Sequence, residues 1–361
     1  MRLRVHVKDV DDELLTRVLD IHFQGKTLKS PLKATNKSAQ LHELNEIYHE
    51  ISPEKILAIK TNSTNERLFN QKIQKEQVND GINFIFLRYT GETVPLPDDM
   101  ETLVDLQYAY SDAAIIPACP ALLKNQNNVG DALWDSFISY LDLYLQIVET
   151  LNHKSIIGLI PHQMPRTLIP SLLEYYHAHD ITSFIIDSSG SSLYSNPSWV
   201  QIIQRTLYKL NILDEGFIYD INSEQGKFLK NADSVLAKDF VGLSFGVDIL
   251  GNLHQPPRLS ADAWNTIKMS QYRGPRVFDP ETYGYVRVPA LTRDVAMLEN
   301  INRQYRELIK IQSVLKEEST VTHYLHTKEL IEAHRVTEKA RDFKKEVFEL
   351  RTSQSTLFDA E

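Results

Sequence analysis

Six short apolar, β-branched runs constrain this fold most: ILAIKTNS (56–63), INFIFLRYTG (82–91), AAIIPACP (113–120), SIIGLIPHQ (155–163), TSFIIDSSG (182–190) and GFIYDINS (216–223). Each ends in a polar or turn-forming residue, and most are followed by a segment with helical spacing. That alternation predicts a parallel sheet covered by helices. The runs are continuous rather than alternating, as strands buried on both faces must be. In such folds ligands meet the loops after the strand C-termini, so the polar residues closing each run are the first candidates for a site.

The chain of 361 residues is read as one (β/α)8 TIM-type barrel over residues 1–315, with small N-terminal strands (RLRVHV, VLDIHFQG), and a C-terminal helical extension over 316–361. A formal charge of −9 with 42% hydrophobic residues describes a soluble globular protein and excludes a global pull toward polyanions, so any such site must be a local patch. Cys119 is the single cysteine, which rules out an intrachain disulfide and a cysteine-based zinc site and points to the reducing cytoplasm. Acids interrupt the start MRLRVHVKDVDDELL, and no stretch approaches the ~18 apolar residues of a membrane span, so neither a secretory leader nor a membrane association is expected.

Local signals assign several elements. LHELNEIYHEI (41–51) has helical spacing and stops at Ser52-Pro53, which makes 56–63 the first long strand. FVGLSFGVDILGNLH (240–254) is a seventh strand followed by a glycine-containing loop. Near the C-terminus Val336, Ala340, Phe343, Val347 and Leu350 form a narrow seam too short to stand alone. It must rest on the preceding helix, DVAMLENINRQYRELIKIQSVL, or on a second subunit in a homo- or heterodimer.

The strongest polar cluster follows the run ending at Asp187, where a carboxylate meets Ser188, Ser189 and Gly190. A carboxylate there can bind a heterocycle or act as a general base, or can simply cap its own loop. His162 and Gln163, and Asp220 and Asn222, occupy equivalent positions, which predicts a polar pocket for a small heterocyclic ligand. Ser244, Asp248 and His254 suggest a triad by type, but no nucleophile elbow is present and close-packed glycines explain the segment equally. His323 and His326 lack carboxylate neighbours, so no metal and no cofactor is assigned. Arg273, Arg276, Arg287 and Arg293, interleaved with tyrosines, are the best candidates for binding tRNA or DNA, against an internal salt-bridge network as the plainer reading.

Read in order, HFQGKTLKSPLKA (22–34), YSDAAIIPACP (110–120), SIIGLIPHQ, DITSFIIDSSGSS (180–192) and LENINRQYRELIKI (298–311) resemble the tRNA-guanine transglycosylase superfamily of queuine- and archaeosine-type enzymes. The resemblance implies a (β/α)8 barrel exchanging or binding a 7-deazaguanine in tRNA or DNA, with Asp187 or Asp248 as the working carboxylate. Ser244 falls where that family has its nucleophilic aspartate, and Arg88 and Ala118 where it has two further aspartates. The family's zinc ligands are absent too. Two alternatives follow: a non-catalytic barrel serving as a nucleic-acid- or ligand-binding partner subunit, and an unrelated (β/α)8 enzyme.

Overall fold

The structure, a computed structural model, describes residues 3–23, 25–39, 43–124, 131–151, 153–228, 232–255 and 274–358. It opens with an antiparallel sheet of β1 (Arg4–Val10), β2 (Arg17–Phe23) and β3 (Lys26–Lys29). Leu19, Ile21 and Phe23 bury one side of β2, and Gly25 supplies the positive φ that turns it into β3.

Parallel strands follow: β4 (Leu32–Lys33), β5 (Leu44–Ile51), β6 (Ile82–Tyr89), β7 (Ala114–Ile115), β8 (Ile156–Pro161), β9 (Phe184–Asp187), β10 (Ile218–Ile221) and, after the antiparallel strand β11 (Ser234–Leu236), β12 (Ile249–Leu250). Six of them form one sheet in the order β4-β12-β10-β9-β8-β7, and β5 and β6 form a separate pair. Single parallel bridges, Thr35 to Asn45 and Arg88 to Ala118, connect that pair to the two edges of the larger sheet. Helices α1 (Pro53–Thr61), α2 (Ser63–Glu76), α3 (Pro97–Tyr108), α4 (Ala121–Lys124), α5 (Asp131–Leu151), α6 (Ile169–Ala178) and α7 (Pro197–Lys209) lie in the connections. A second antiparallel sheet joins β11 to β14 (Gly284–Arg287) and β13 (Arg276–Asp279). The chain then runs through α8 (Arg293–Glu318), α9 (Thr322–His326), α10 (Glu329–Ala333) and α11 (Val336–Phe358).

The (β/α)8 TIM-type barrel expected from the alternation is therefore corrected to a mixed α/β architecture, a six-stranded parallel sheet with a separate parallel pair and two small antiparallel sheets. Strands β4, β7 and β12 are two residues long, so no continuous eight-strand ladder forms. Between β10 and β12 the connection is β11 and a 3-10 turn (Val241–Phe245) instead of a covering helix, and the expected seventh strand shrinks to Ile249–Leu250.

The assignments on either side of Ser52 are also reversed. Residues 44–51 are a strand paired in register with β6 from Leu44–Ile82 to Ile51–Tyr89, and the expected strand at 56–63 falls in α1 and the start of α2. Ser52-Pro53 opens a helix: the Ser52 hydroxyl accepts from the Lys55 N–H at 3.3 Å, and proline occupies the first turn, where its missing N–H costs nothing.

The C-terminal seam is covered by its own chain, but not by α8. Val336, Ala340, Phe343 and Val347 are buried, with the Phe343 ring 5.3 Å from that of Phe245 in the 3-10 turn, and Phe348 lies 4.7 Å from Tyr208 of α7. The short helices α9 and α10 redirect the chain before α11 begins. Leu350 lies outside the described side chains.

At the N-terminal ends of β10 and β12, Arg17 meets Asp248 in a buried two-pronged ion pair, Nε to Oδ1 and Nη2 to Oδ2, each 2.8 Å. Arg17 also donates to the Leu213 and Gly216 carbonyls, and Asp248 Oδ2 accepts from the Ile218 N–H. Removing one partner strands a buried charge, whereas removing both does not. Asp248→Ala is expected to lower unfolding free energy by about 3 to 5 kcal/mol in urea titrations, and the double variant Arg17→Met with Asp248→Leu to cost less than Asp248→Ala alone.

Candidate functional site

The sheet register determines which polar residues meet. Pro161, Asp187 and Ile221 lie side by side across β8, β9 and β10, and Tyr219 sits two residues before Ile221. Side chains alternate along a strand, so Tyr219, Ile221 and Asp187 share one face and Asp220 points to the other. The shared face looks toward β6: Phe84 and Phe86 approach the Tyr219 ring at 6.1 and 5.5 Å.

Glu46 of β5 projects into that interior with no exposed side-chain surface. It accepts from His254 Nε2, from the Tyr219 hydroxyl and from the Asn252 N–H. Burial alone raises a carboxyl's pKa, but the His254 contact, then the Lys33 charge and the Tyr219 hydrogen bond, hold Glu46 below its ordinary value. A carboxylate only accepts, so Nε2 of His254 is the donor in that contact and Nδ1 is not engaged by Glu46. The His254 ring stacks on Tyr48 at 4.5 Å with the planes 2° apart. Burial and then the Asp187 charge raise the Tyr48 hydroxyl above its usual value, so it stays protonated as a donor.

Asp187 divides its two oxygens between two roles. Oδ1 accepts from the Ser189 N–H (3.0 Å), the Ser189 hydroxyl (3.3 Å) and Asn222 Nδ2 (3.0 Å), the loop-capping pattern. Oδ2 faces Gln255 Nε2 at 3.5 Å, itself 3.3 Å from the Tyr48 hydroxyl. Ser189, Gly190 and Asn222 all adopt positive φ, an arrangement disfavoured for serine and one that recurs where loops build sites. Beside Asp187 lies a cavity of about 30 Å³ lined by Arg88, Cys119, Leu159, Gln163, Asp187 and Ser189 among others. Arg88 enters it from β6, paired with Glu50 at 2.6 Å.

Of the residues expected to form the pocket, the structure brings together Asp187, Ser189, Gln163 and Asn222, with Gly190 in the same loop. His162 turns toward Trp199, ring to ring 5.1 Å, and its burial lowers its pKa. Ser188 and Asp220 pair with each other on the outer face. Ser244 is buried in the 3-10 turn, and Asp248 sits at the opposite strand ends with Arg17, so neither meets the site and no Ser/His/Asp triad exists. Arg276 and Arg287 face each other on the small antiparallel sheet, Arg293 is exposed at the start of α8, and Arg273 lies outside the described residues. Glu46, Tyr48 and Gln255 were not anticipated. The readable signal for the first two was the Ser52-Pro53 helix start, which frees 44–51 to be a strand.

Among the described residues no group of three or more His, Cys, Asp or Glu is arranged to hold a metal ion, and no helix is long and apolar enough to cross a membrane. No family model and no curated protein matches the chain. Among solved structures it is similar to the enoyl reductase domain of MlnA from the macrolactin biosynthesis cluster of Bacillus amyloliquefaciens, at 11% identity and a TM-score of 0.30, covering 84% of this chain and 81% of that one. A likeness of that degree says nothing about activity. The resemblance to tRNA-guanine transglycosylases is corrected on these findings. The positions where that family carries its aspartates also serve other ends here, with Arg88 in an ion pair and Ser244 buried far from the site.

Asp220 illustrates the cost of the outer face. Burial raises its carboxyl to about 7; the Ser188 and Ser223 hydroxyls oppose the rise, and the Asp239 and Asp187 charges add to it. The folded state then holds a proton that the unfolded chain releases near pH 4, so this group destabilises the fold progressively as pH rises from about 4 to about 7. Urea midpoints at pH 5 and pH 7.5 should show wild type losing more stability across that interval than Asp220→Asn, which carries no titrating group there.

Proposed function

We propose that the strand-end site binds a small planar polar ligand, a heterocycle bearing ring N–H groups beside a carbonyl, and performs acid–base chemistry on it. One observation carries this reading: a carboxylate oxygen outside the loop's own hydrogen bonds, Asp187 Oδ2, is linked through Gln255 and Tyr48 to an imidazole oriented by a buried carboxylate, the His254–Glu46 pair. Asp187 accepts the ligand's N–H groups through charge-assisted bonds, and the Gln163 and Gln255 amides and Arg88 meet its carbonyl. His254 moves the proton through Nδ1. Glu46 is the positioning residue, because its bond to Nε2 fixes the ring in the way a buried aspartate does in a hydrolytic triad. The cavity beside Asp187 has room for only a few water-sized groups, so the body of the ligand lies across the mouth, where Tyr48 and His254 present their stacked rings.

The test is ligand stabilisation with adenine, guanine, uracil and pterin as probes. A ligand at about 100 times its dissociation constant adds about 2.7 kcal/mol to stability, several degrees in Tm. At least one probe is expected to raise the wild-type Tm, and Asp187→Asn should lose at least about tenfold in affinity for it. Asp187→Asn binding every effective probe as wild type does, or a wild type that no probe stabilises, would refute the assignment.

A further inference from the structure

The small antiparallel sheet carries an arrangement that the strand-end site does not use. Arg276 of β13 and Arg287 of β14 are direct partners across the ladder, which puts their Cβ atoms about 5 Å apart on one face. Both guanidinium groups reach the ring of Phe228, at 5.3 and 4.5 Å from its centre. Among the described residues their hydrogen bonds go only to backbone carbonyls, Arg276 to Gly226 at 2.6 Å and Arg287 to Gly274 at 3.4 Å. The nearest acids, Glu224 and Asp239, act on Arg276 by charge but form no ion pair with it among the described residues: Glu224 faces Lys238 at 3.8 Å, and Asp239 accepts from the Tyr285 hydroxyl at 2.6 Å. Like charges directly opposite on a sheet destabilise it, and both side chains are half-buried, where that repulsion is less screened. Burial, and then the Arg287 charge, lower the Arg276 pKa against the opposing influence of Tyr285, Asp239 and Glu224, as expected for two cations held close together away from water.

We infer that Arg276 and Arg287, braced on Phe228, form a binding site for a phosphate group, carried either by a small phosphate ester or by a single-stranded nucleic acid. Two guanidinium forks on one face match the several oxygens of a phosphate, and a bound dianion or diester would cancel the repulsion that the fold otherwise retains. Phe228 follows Asn222, the residue that donates to Asp187, by six residues with no helix or strand between them. The phosphate site therefore shares a loop with the strand-end site but uses none of its side chains, and it stands or falls separately.

The experiment uses fluorescence anisotropy of a labelled oligouridine ten-mer at low salt, with AMP and inorganic phosphate as competitors. Wild type is expected to bind, and Arg276→Gln with Arg287→Gln to lose at least about tenfold in affinity and about two units of salt slope, one for each lost contact. With inorganic phosphate, which carries no heterocycle, as the ligand, Asp187→Asn should show the same rise in Tm as wild type, which separates this site from the strand-end reading. AMP and phosphate displacing the ten-mer at concentrations similar to its own identify a single phosphate group as the ligand. Displacement only at much higher concentration identifies the polynucleotide. As a second measurement, phosphate but not chloride at equal ionic strength should raise the Tm of wild type and leave Arg287→Gln unmoved, a test that needs only the single variant to fold. A double variant that binds as wild type does, a wild type that binds none of the probes, or equal Tm in phosphate and chloride overturns the proposal.

Discussion

A carboxylate sealed from solvent has to be given donors and positive charge, or it destabilises the fold by several kcal/mol. Glu46 is such a group, and what it gathers organises the strand-end region: the Tyr219 hydroxyl from β10, the Asn252 N–H and His254 from the loop after β12, and the charge of Lys33 from β4. Those contacts join the β5–β6 pair to the six-stranded sheet across the interior, where the strand edges themselves offer only single bridges. They also leave no room for a side chain at position 251, since a Cβ on Gly251 would lie 2.8 Å from Glu46 Oε2 and 2.7 Å from the Asp220 carbonyl. The glycine in GLSFGVDILGNLH is thus a packing requirement of the site.

Three aspartates at strand ends, Asp187, Asp220 and Asp248, look alike in the chain and have different fates. Asp248 precedes its strand, so it lies at the N-terminal ends, and Arg17 takes up both of its oxygens. Asp220 is one residue out of phase with the interior face and is buried on the outer side, where its ionised form is disfavoured. Asp187 is in phase with Tyr219 and Ile221 and follows the interior, which is why it alone of the three reaches Gln255 and the cavity. A period of two decides between a buried outer carboxylate and a ligand-facing one.

Among the described residues no α-helix lies in the connection between β10 and β12, on the outer face that receives Asp220. The β11-β14-β13 sheet and α8 occupy this region, with Tyr285 reaching Asp239 and Gln304 reaching Tyr285. A sheet edge can present two opposed arginines in register, as β13 and β14 do, whereas the long side chains of a covering helix would fan apart. The departure from a regular alternation of strand and helix therefore brings the two arginines together, against the ring of Phe228.

Several features were determined by the chain alone. Continuous apolar runs at 82–89, 156–161, 184–187 and 218–221 are strands, as their pattern predicts, so the parallel sheet and the polar residues at its C-terminal ends, including Asp187, Gln163 and Asn222, were legible from local pattern. Residues 44–51 were not, because their apolar spacing suits a helix as well as a strand, and only an eight-residue partner in β6, distant in sequence, settles the matter. With that strand came Glu46 and Tyr48, whose roles exist only when His254 arrives from 208 residues along the chain. Closure of the sheet was likewise beyond local pattern, since strand lengths of two residues at β4, β7 and β12 reflect how neighbours pack and not what those residues prefer. Propensity and periodicity act within a turn or a strand, while counter-charges, hydrogen-bond donors and strand partners come from wherever the tertiary structure places them.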